Sequence, residues 1–299
     1  MSESGTARPE AFLAALRAGG LVFDGAMATS LYEKGLLYTV CFDELNVSNP
    51  EVVRSVHKAF AETGCDVLET NTFGANRYRL ARHGFEGRVR EINRAGVALA
   101  REVAGTRAFV AASVGPTGLM LETLPETEIE SIEAAFREQC EALVEAGVDA
   151  ILLETFRQPD ELRLAAHAAR EAGGPKLPLI ACVSFDEAGT TADGRPPEQV
   201  AERIARFEVD AIGVNCATGP AGVYEMIVRM QGPGLPLVAI PNAGLPQQLD
   251  GRLAYMTTPE YFQLYARRLF KAGVSAVGGC CGTTPEHIRK VVAAARMVS

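Results

Sequence analysis

The sequence predicts an α/β fold, a (β/α)8 TIM barrel with a short N-terminal helix, on three observations. Eight short apolar runs recur at roughly even spacing, at 21–23, 66–68, 109–112, 150–153, 179–182, 211–214, 237–240 and 275–277. Each is too short for a helix and, apart from the leading Asp66 and Ser275, apolar, as suits strands buried on both faces of a parallel sheet. Segments of helical periodicity lie between them. One joint also recurs, as Thr63-Gly64-Cys65-Asp66, Ala146-Gly147-Val148-Asp149 and Ala272-Gly273-Val274-Ser275. In it a glycine just past a helix end takes the left-handed conformation and hands the chain to the next strand. A doubly wound sheet would use similar units, but no Gly-x-Gly-x-x-Gly follows the first run. Eight βα units are the complement of a closed barrel.

Taken in order, residues 9–17 (apolar at Phe12, Leu13 and Leu16) read as a short amphipathic helix ahead of the first strand. Val52, Val53, Val56, Ala59 and Phe60 form one helical stripe, and Ile129, Ile132, Phe136, Cys140 and Leu143 a second. Ile288, Val291, Val292 and Ala295 form a third. Asn49-Pro50-Glu51 and Thr284-Pro285-Glu286 place a capping side chain before a proline and an acid in the first turn. No linker, low-complexity tract or charge block divides the chain, so 1–299 reads as one barrel domain.

A net charge of −8 argues against nucleic acid and anionic membrane as partners. No apolar run reaches the roughly 18 residues of a membrane span. Residues 1–9 lack the apolar core of a secretory signal. Seven cysteines without an exported context indicate free thiols in a reducing compartment, which points to the cytoplasm.

In such barrels chemistry sits at the C-terminal ends of the strands. Those positions hold Asp24, Glu69 with Asn71, Gly115, Glu154, Ser184 with Asp186, Cys216, Asn242, and the pair Cys280-Cys281. Cys216 closes the sixth run and the cysteine pair follows the eighth, so three thiols share one rim. A structural zinc site would need a fourth ligand and Cys-x2-4-Cys spacing. Three cysteines alone predict a zinc ion with one position left for substrate. Glycines flank the pair in Gly278-Gly279-Cys280-Cys281-Gly282, which suggests a twisted backbone that lets adjacent side chains face one ion. Cys41, Cys65, Cys140 and Cys182 read as small buried hydrophobes. Asp24 is open to a helix-cap role and Glu154 to a salt bridge with a barrel arginine. Asn71 and Asn242 are open to turn roles. His57, His83, His167 and His287 lie in or beside helices and read as surface or capping residues.

On the residues Gly278 to Gly282 with Thr283-Thr284-Pro285-Glu286-His287, and Gly213-Val214-Asn215-Cys216, the chain resembles the zinc-dependent homocysteine S-methyltransferase family. Asp24-Gly25-Ala26-Met27, Glu69-Thr70-Asn71-Thr72-Phe73-Gly74-Ala75 and Pro241-Asn242-Ala243-Gly244 carry the resemblance further. It implies methyl transfer to L-homocysteine, giving L-methionine, with zinc (Zn2+) on Cys216, Cys280 and Cys281. Asp24 and Glu154 then suit the substrate ammonium, with Asn71 a further substrate contact. Backbone amides near Gly115 or Ser184 suit its carboxylate, and Asn242 the substrate or the open metal position.

The chain has no Trp for an aromatic cage, and Thr155 follows Glu154 where the betaine branch resembles Glu-Tyr, which disfavours a betaine donor. The stretch from Thr70 to Asn76 is similar to the homocysteine module of cobalamin-dependent methionine synthase. It is also similar to the module fused to methylenetetrahydrofolate reductase in some bacteria. The implied donor is methylcobalamin or a folate-linked carrier. No cobalamin-binding Asp-x-His-x-x-Gly occurs, so another module or protein would supply cobalamin. An S-methylmethionine donor is the alternative. A non-catalytic zinc or thiol-binding protein and a phosphosugar lyase or isomerase are rival functions.

Overall fold

The computed structural model describes residues 4–216, 218–249 and 252–298. All eight expected strands are present, all parallel: β1 (Leu21–Val22), β2 (Val67–Glu69), β3 (Phe109–Val114), β4 (Ala150–Phe156), β5 (Leu179–Val183), β6 (Ala211–Cys216), β7 (Leu237–Pro241) and β10 (Ala276–Val277). They pair in the order β1-β10-β7-β6-β5-β4-β3-β2. A parallel bridge between Phe23 and Val67, with Asp24 N donating to Val67 O at 3.0 Å, closes β1 onto β2. Helices follow the strands and cover the outside, making a (β/α)8 barrel. The three handover glycines take the expected left-handed backbone, with φ of 81° at Gly64 and 87° at both Gly147 and Gly273.

Side chains alternate between two cores, as the two-residue period of a strand requires. Leu152, Ile180, Val238 and Ile240 point into the barrel, while Ile151, Leu153, Ala181 and Ala239 pack outward against the helices. The helix Ser4–Ala18 closes the N-terminal end of the barrel. Its Phe12 meets Phe23 and Phe109 edge-on, with centroids 6.4 and 5.3 Å away, and Leu16 joins the same cluster. Arg8 donates to Asp149 Oδ1 at 3.0 Å and to Ala108 O at 2.6 Å, pinning that helix to β3 and β4. The helix begins before Pro9, earlier than expected, and carries the proline inside it. The cavity described below opens on the opposite rim.

Four expectations change. A hairpin, β8 (Gln247–Leu249) with β9 (Arg252–Ala254), follows β7 and was not foreseen. His57 is fully buried rather than superficial, because it shares the inward face of the helix Pro50–Ala61 with Val53, Val56 and Phe60. Burial lowers its pKa to about 4. Asn49 precedes that helix but makes no side-chain cap. His287 does act at a helix start: its Nδ1 accepts from Thr284 N at 3.2 Å, so Nε2 donates to Thr257 O at 2.8 Å. His83 and His167 are exposed. Cys65, Cys140 and Cys182 are buried as expected, whereas Cys41 is partly exposed. No helix among the described residues is long and apolar enough to cross a membrane.

Candidate active site

The three rim cysteines converge. The Sγ atoms of Cys216, Cys280 and Cys281 all lie within 4.8 Å of one another, and no disulfide joins them. β7 is the spacer. Cys216 is in register with Pro241 on one side, and on the other Cys280 N donates to Pro241 O at 2.8 Å. Cys216 has a φ of 58°, a left-handed conformation uncommon for a side chain of this kind, which turns it off the end of β6. Cys280 and Cys281 lie in a turn past β10, held by Thr283, whose N and Oγ1 donate to Cys280 O at 3.1 and 2.7 Å. A turn, unlike a strand, can present neighbouring side chains to one point.

The flanking glycines serve space more than twist. A Cβ on Gly278 would lie 2.6 Å from Phe23 Cβ, and one on Gly279 would lie 2.5 Å from Thr283 Oγ1. Only Gly282 is left-handed, with φ 77°, and a Cβ there would come within 2.0 Å of the Tyr255 ring. Tyr255 in turn helps to lower the Cys281 thiol. Bonds from Cys216 and Cys280 draw the Cys281 thiol down to about 3, and their counterpart pushes Cys280 well up. A soft divalent cation is what would let all three ionise. Sulfurs about 2.3 Å from a tetrahedral zinc would stand roughly 3.8 Å apart, within the observed spread. The donor set fits zinc.

Beside the sulfurs opens a cavity of about 390 Å³. Four carboxyl groups line it: Asp43, whose Oδ1 accepts from Gly74 N at 2.8 Å, and Asp24 after β1, Glu69 ending β2 and Glu154 in β4. Burial pushes Asp24 and Glu69 well above the usual carboxylate range, with further push from the charge of Glu154. Burial also raises Glu154, to about 7. Asp24 and Glu154 are fixed by partners. Both Asp24 oxygens lie 3.2 Å from the donor Glu69 N. Ser113 Oγ donates to Glu154 Oε1, and Asn215 Nδ2 donates to Glu154 Oε2 at 3.1 Å. Asn215 also accepts from Thr155 N at 2.7 Å and donates to Thr155 Oγ1 at 2.8 Å. Thr155 is itself left-handed, with φ 64°. Asn215 therefore clamps the residue next to Glu154 and stands one position before Cys216. Arg79, stacked over Phe73 at 5.6 Å, is the one cation among the described lining residues.

Residues 21–295 match the family model for homocysteine S-methyltransferase. The chain belongs to the homocysteine S-methyltransferase family. It is 36% identical over 291 residues to the methionine synthase of Mycobacterium tuberculosis (strain ATCC 25618 / H37Rv), covering 92% of this chain and 24% of that protein. The methionine synthase of Mycobacterium leprae (strain TN) is 34% identical with the same coverage. The chain thus spans about a quarter of the length of these curated relatives. Among solved structures, the metallated form of the homocysteine methyltransferase MmuM from Escherichia coli superposes with a TM-score of 0.74 at 27% identity, covering 91% of this chain and 95% of that one. A methyltransferase from Methanosarcina mazei shares the fold, with a TM-score of 0.60 at 14% identity, over 96% and 97% of the two chains.

Within this family member the cavity gathers most, not all, of the residues picked from sequence. Asp24 and Glu154 line it, and neither alternative reading applies: Asp24 caps no helix, and Glu154 is held by Ser113 and Asn215 instead of an arginine. Asn71 also lines it, but its Nδ2 donates to Phe42 O at 2.7 Å and Asn46 Oδ1 at 3.0 Å, so that amide holds the loop. Ser184 is set back from the cavity. Its Oγ donates to Asn215 O at 2.7 Å and its N to Phe156 O at 2.9 Å. Gly115 N is likewise spent, on Phe73 O at 2.9 Å. Neither amide is available for a substrate carboxylate. Asn242 is buried outside the lining, its N donating to Thr218 O at 3.2 Å while Ala243 N donates to Cys281 O at 2.9 Å. Sequence reading assigned no role to Glu69, Ser113, Asn215, Arg79 or Tyr255. Glu69 and Asn215 stand inside quoted motifs, which was the signal that could have found them.

Proposed function

We propose that this chain moves a methyl group onto the sulfur of L-homocysteine, giving L-methionine, with zinc held by Cys216, Cys280 and Cys281. The observation that carries the reading is the pairing of a three-thiol cluster with a cavity bearing buried carboxylates within one family member's rim. Bound zinc would supply a Lewis acid that keeps a fourth, substrate thiol deprotonated at neutral pH, where a free thiol with pKa near 8.5 is mostly protonated. No separate base is then needed. Asp24 and Glu154 take the substrate ammonium, which relieves the cost of burying their charge. Arg79, in place of the spent amides, suits the carboxylate. Phe42, Phe73 and Ile240 give an apolar wall to the methylene chain and help keep water from the reacting sulfur.

The donor in this proposal is methylcobalamin or a folate-linked carrier on a separate module, supported by the likeness to relatives about four times longer. A free small-molecule donor such as S-methylmethionine is supported by the near full-length match to the Escherichia coli enzyme. Cobalt-substituted protein titrated with L-homocysteine tests the site. A new thiolate-to-metal band is expected, and an unchanged spectrum would favour a non-catalytic metal-binding protein. Turnover offered methylcobalamin, S-methylmethionine and betaine in parallel separates the donors.

A further inference from the structure

We propose that Phe73, laid flat on Gly115, is a positioning residue that holds the Arg79 guanidinium toward the cavity, and so sets the preference for a thiol that carries a carboxylate. The inference rests on the assignment of Arg79 to the substrate carboxylate given above, and adds how that cation is held. It begins with an arginine of which one nitrogen is spent. Arg79 Nε donates to Pro116 O at 3.1 Å, while neither terminal nitrogen has a hydrogen bond or ion pair among the described residues. Arg79 is partly buried and lines the cavity. Asp43 lines the same cavity but makes no ion pair with it, its Oδ1 accepting instead from Gly74 N at 2.8 Å. A guanidinium with its terminal N–H groups unspent matches the two oxygens of a carboxylate, provided that it is held in one direction.

The holding is visible in the packing. Arg79 belongs to the short helix Arg77–Ala81, whose start is fixed by Asn76 Oδ1 accepting from Arg79 N at 3.0 Å. Its side chain is long and would lose its direction without a support. Phe73 supplies one: Arg79 Cζ stands over the ring, 5.6 Å from the centroid. The ring in turn rests on the turn that follows β3. Gly115 N donates to Phe73 O at 2.9 Å. A Cβ on Gly115 would lie 2.4, 2.6 and 2.7 Å from Cε2, Cδ2 and Cζ of that ring. Such similar distances to three neighbouring ring atoms place the Cβ above the face and not beyond the edge. The ring therefore lies flat against the glycine, and a side chain there would lift it. Gly115 is not left-handed, so its missing side chain serves the ring and not a backbone angle. Ring and guanidinium form a stack whose base is the Gly115-Pro116 backbone, and the end of that stack left without a protein partner belongs to a residue of the cavity wall.

The test uses the zinc-loaded full chain and isothermal titration with L-homocysteine and with 3-aminopropanethiol, which has the same thiol, methylenes and amine but no carboxylate. Wild type should prefer homocysteine by about tenfold or more, the worth of a hydrogen bond between charged groups. Arg79→Met should erase that preference. Phe73→Leu keeps an apolar side chain in the wall but gives up the flat face. It should weaken homocysteine by about fivefold and leave 3-aminopropanethiol within about twofold. Loss of the apolar wall alone would fall on both ligands, because they share the methylenes. In the Arg79→Met background Phe73→Leu should cost homocysteine nothing further, since the ring acts through the guanidinium. Gly115→Ala keeps the N–H to Phe73 O but lifts the ring, and should repeat the Phe73→Leu result. Zinc content and melting temperature check that the variants are folded. Phe73→Leu, at a partly buried position, carries the test by itself should Gly115→Ala fail to fold. A Phe73→Leu variant that keeps the wild-type preference, weakens both ligands equally, or adds its full loss to that of Arg79→Met overturns the role of Phe73 and leaves Arg79 in place. An Arg79→Met variant that keeps the preference overturns the assignment of Arg79 to the carboxylate and the proposal with it.

Discussion

Replacing Asn215 with alanine tests whether the carboxylate wall is held in place from behind. The carboxamide accepts from Thr155 N at 2.7 Å, donates to Thr155 Oγ1 at 2.8 Å and donates to Glu154 Oε2 at 3.1 Å. Asn215 is fully buried, so no water replaces it cheaply. Truncation leaves the Thr155 N–H without a partner and takes one donor from Glu154, each at a cost of about 1–3 kcal/mol. It also frees Thr155 from the contact that holds its φ at 64°. A loss of about 2–6 kcal/mol in all corresponds to roughly 3–10 °C in melting temperature for a chain of 299 residues. The sulfurs are untouched, so zinc should remain at one equivalent. Homocysteine should bind about tenfold more weakly, because Glu154 is no longer aimed. Calorimetric melting, metal analysis and isothermal titration read these separately. Ser184→Ala is the scaled control: it removes one hydrogen bond, to Asn215 O at 2.7 Å, and should cost about 1 kcal/mol. A melting temperature for Asn215→Ala within about 2 °C of wild type, or an unchanged homocysteine affinity, refutes the clamp.

Cys216→Ala, Cys280→Ala and Cys281→Ala should each lose zinc on dialysis against a chelator and lose methyl transfer, while the metal-free proteins melt near metal-free wild type. Retained turnover in any of them with zinc stripped would remove the proposed mechanism. Gly282→Ala puts a methyl 2.0 Å from Tyr255 Cγ at a φ of 77°. The left-handed backbone alone costs about 1–2 kcal/mol, and chelator competition should show weaker zinc as the ring leaves Cys281. His57 has both ring nitrogens buried without partners among the described residues and a pKa lowered to about 4 by burial. The unfolded chain, titrating near 6.5, binds the proton first. Stability is therefore lost as pH falls from about 6.5 to about 4, by about 3 kcal/mol at the end of that range. His57→Leu should melt above wild type by a margin that widens on going from pH 8 to pH 5, and parallel pH curves would contradict this.

How far the fold could be read in advance follows from where each signal lives. Leu179, Ile180 and Ala181 announce a strand because both faces of a barrel strand are buried, so the run itself is the message. The handover glycines announce the joints for an equally local reason, a backbone angle that side chains disfavour. The hairpin Gln247–Leu249 with Arg252–Ala254 escaped because its strands are not apolar, although Asp250-Gly251 is a hairpin-turn pair in the sequence. His57 was misplaced by a rule about residue type where the helix phase, shared with Val53, Val56 and Phe60, decided the matter.

The site divides along a different line. Three thiols at strand ends can be named in advance because few chemistries want them together, and the chain has only seven cysteines to sort. Carboxylates offer no such economy: with 37 acidic residues, type alone distinguishes none of them. What marks Asp24, Glu69 and Glu154 is burial against one another, and that exists only once closure of β1 onto β2 brings residues 45 and more positions apart to one wall. The wall's supports are longer-range still, with Ser113 and Asn215 reaching Glu154 from 41 and 61 residues away. A motif can point at Asn215, but only the closed ring shows that its side chain reaches across to Glu154 and Thr155 on β4. The metal side and the amino-acid side thus meet where Asn215 precedes Cys216 on β6, yet the carboxamide's own bonds all go to the carboxylate wall, so its loss should be felt there and not at the sulfurs.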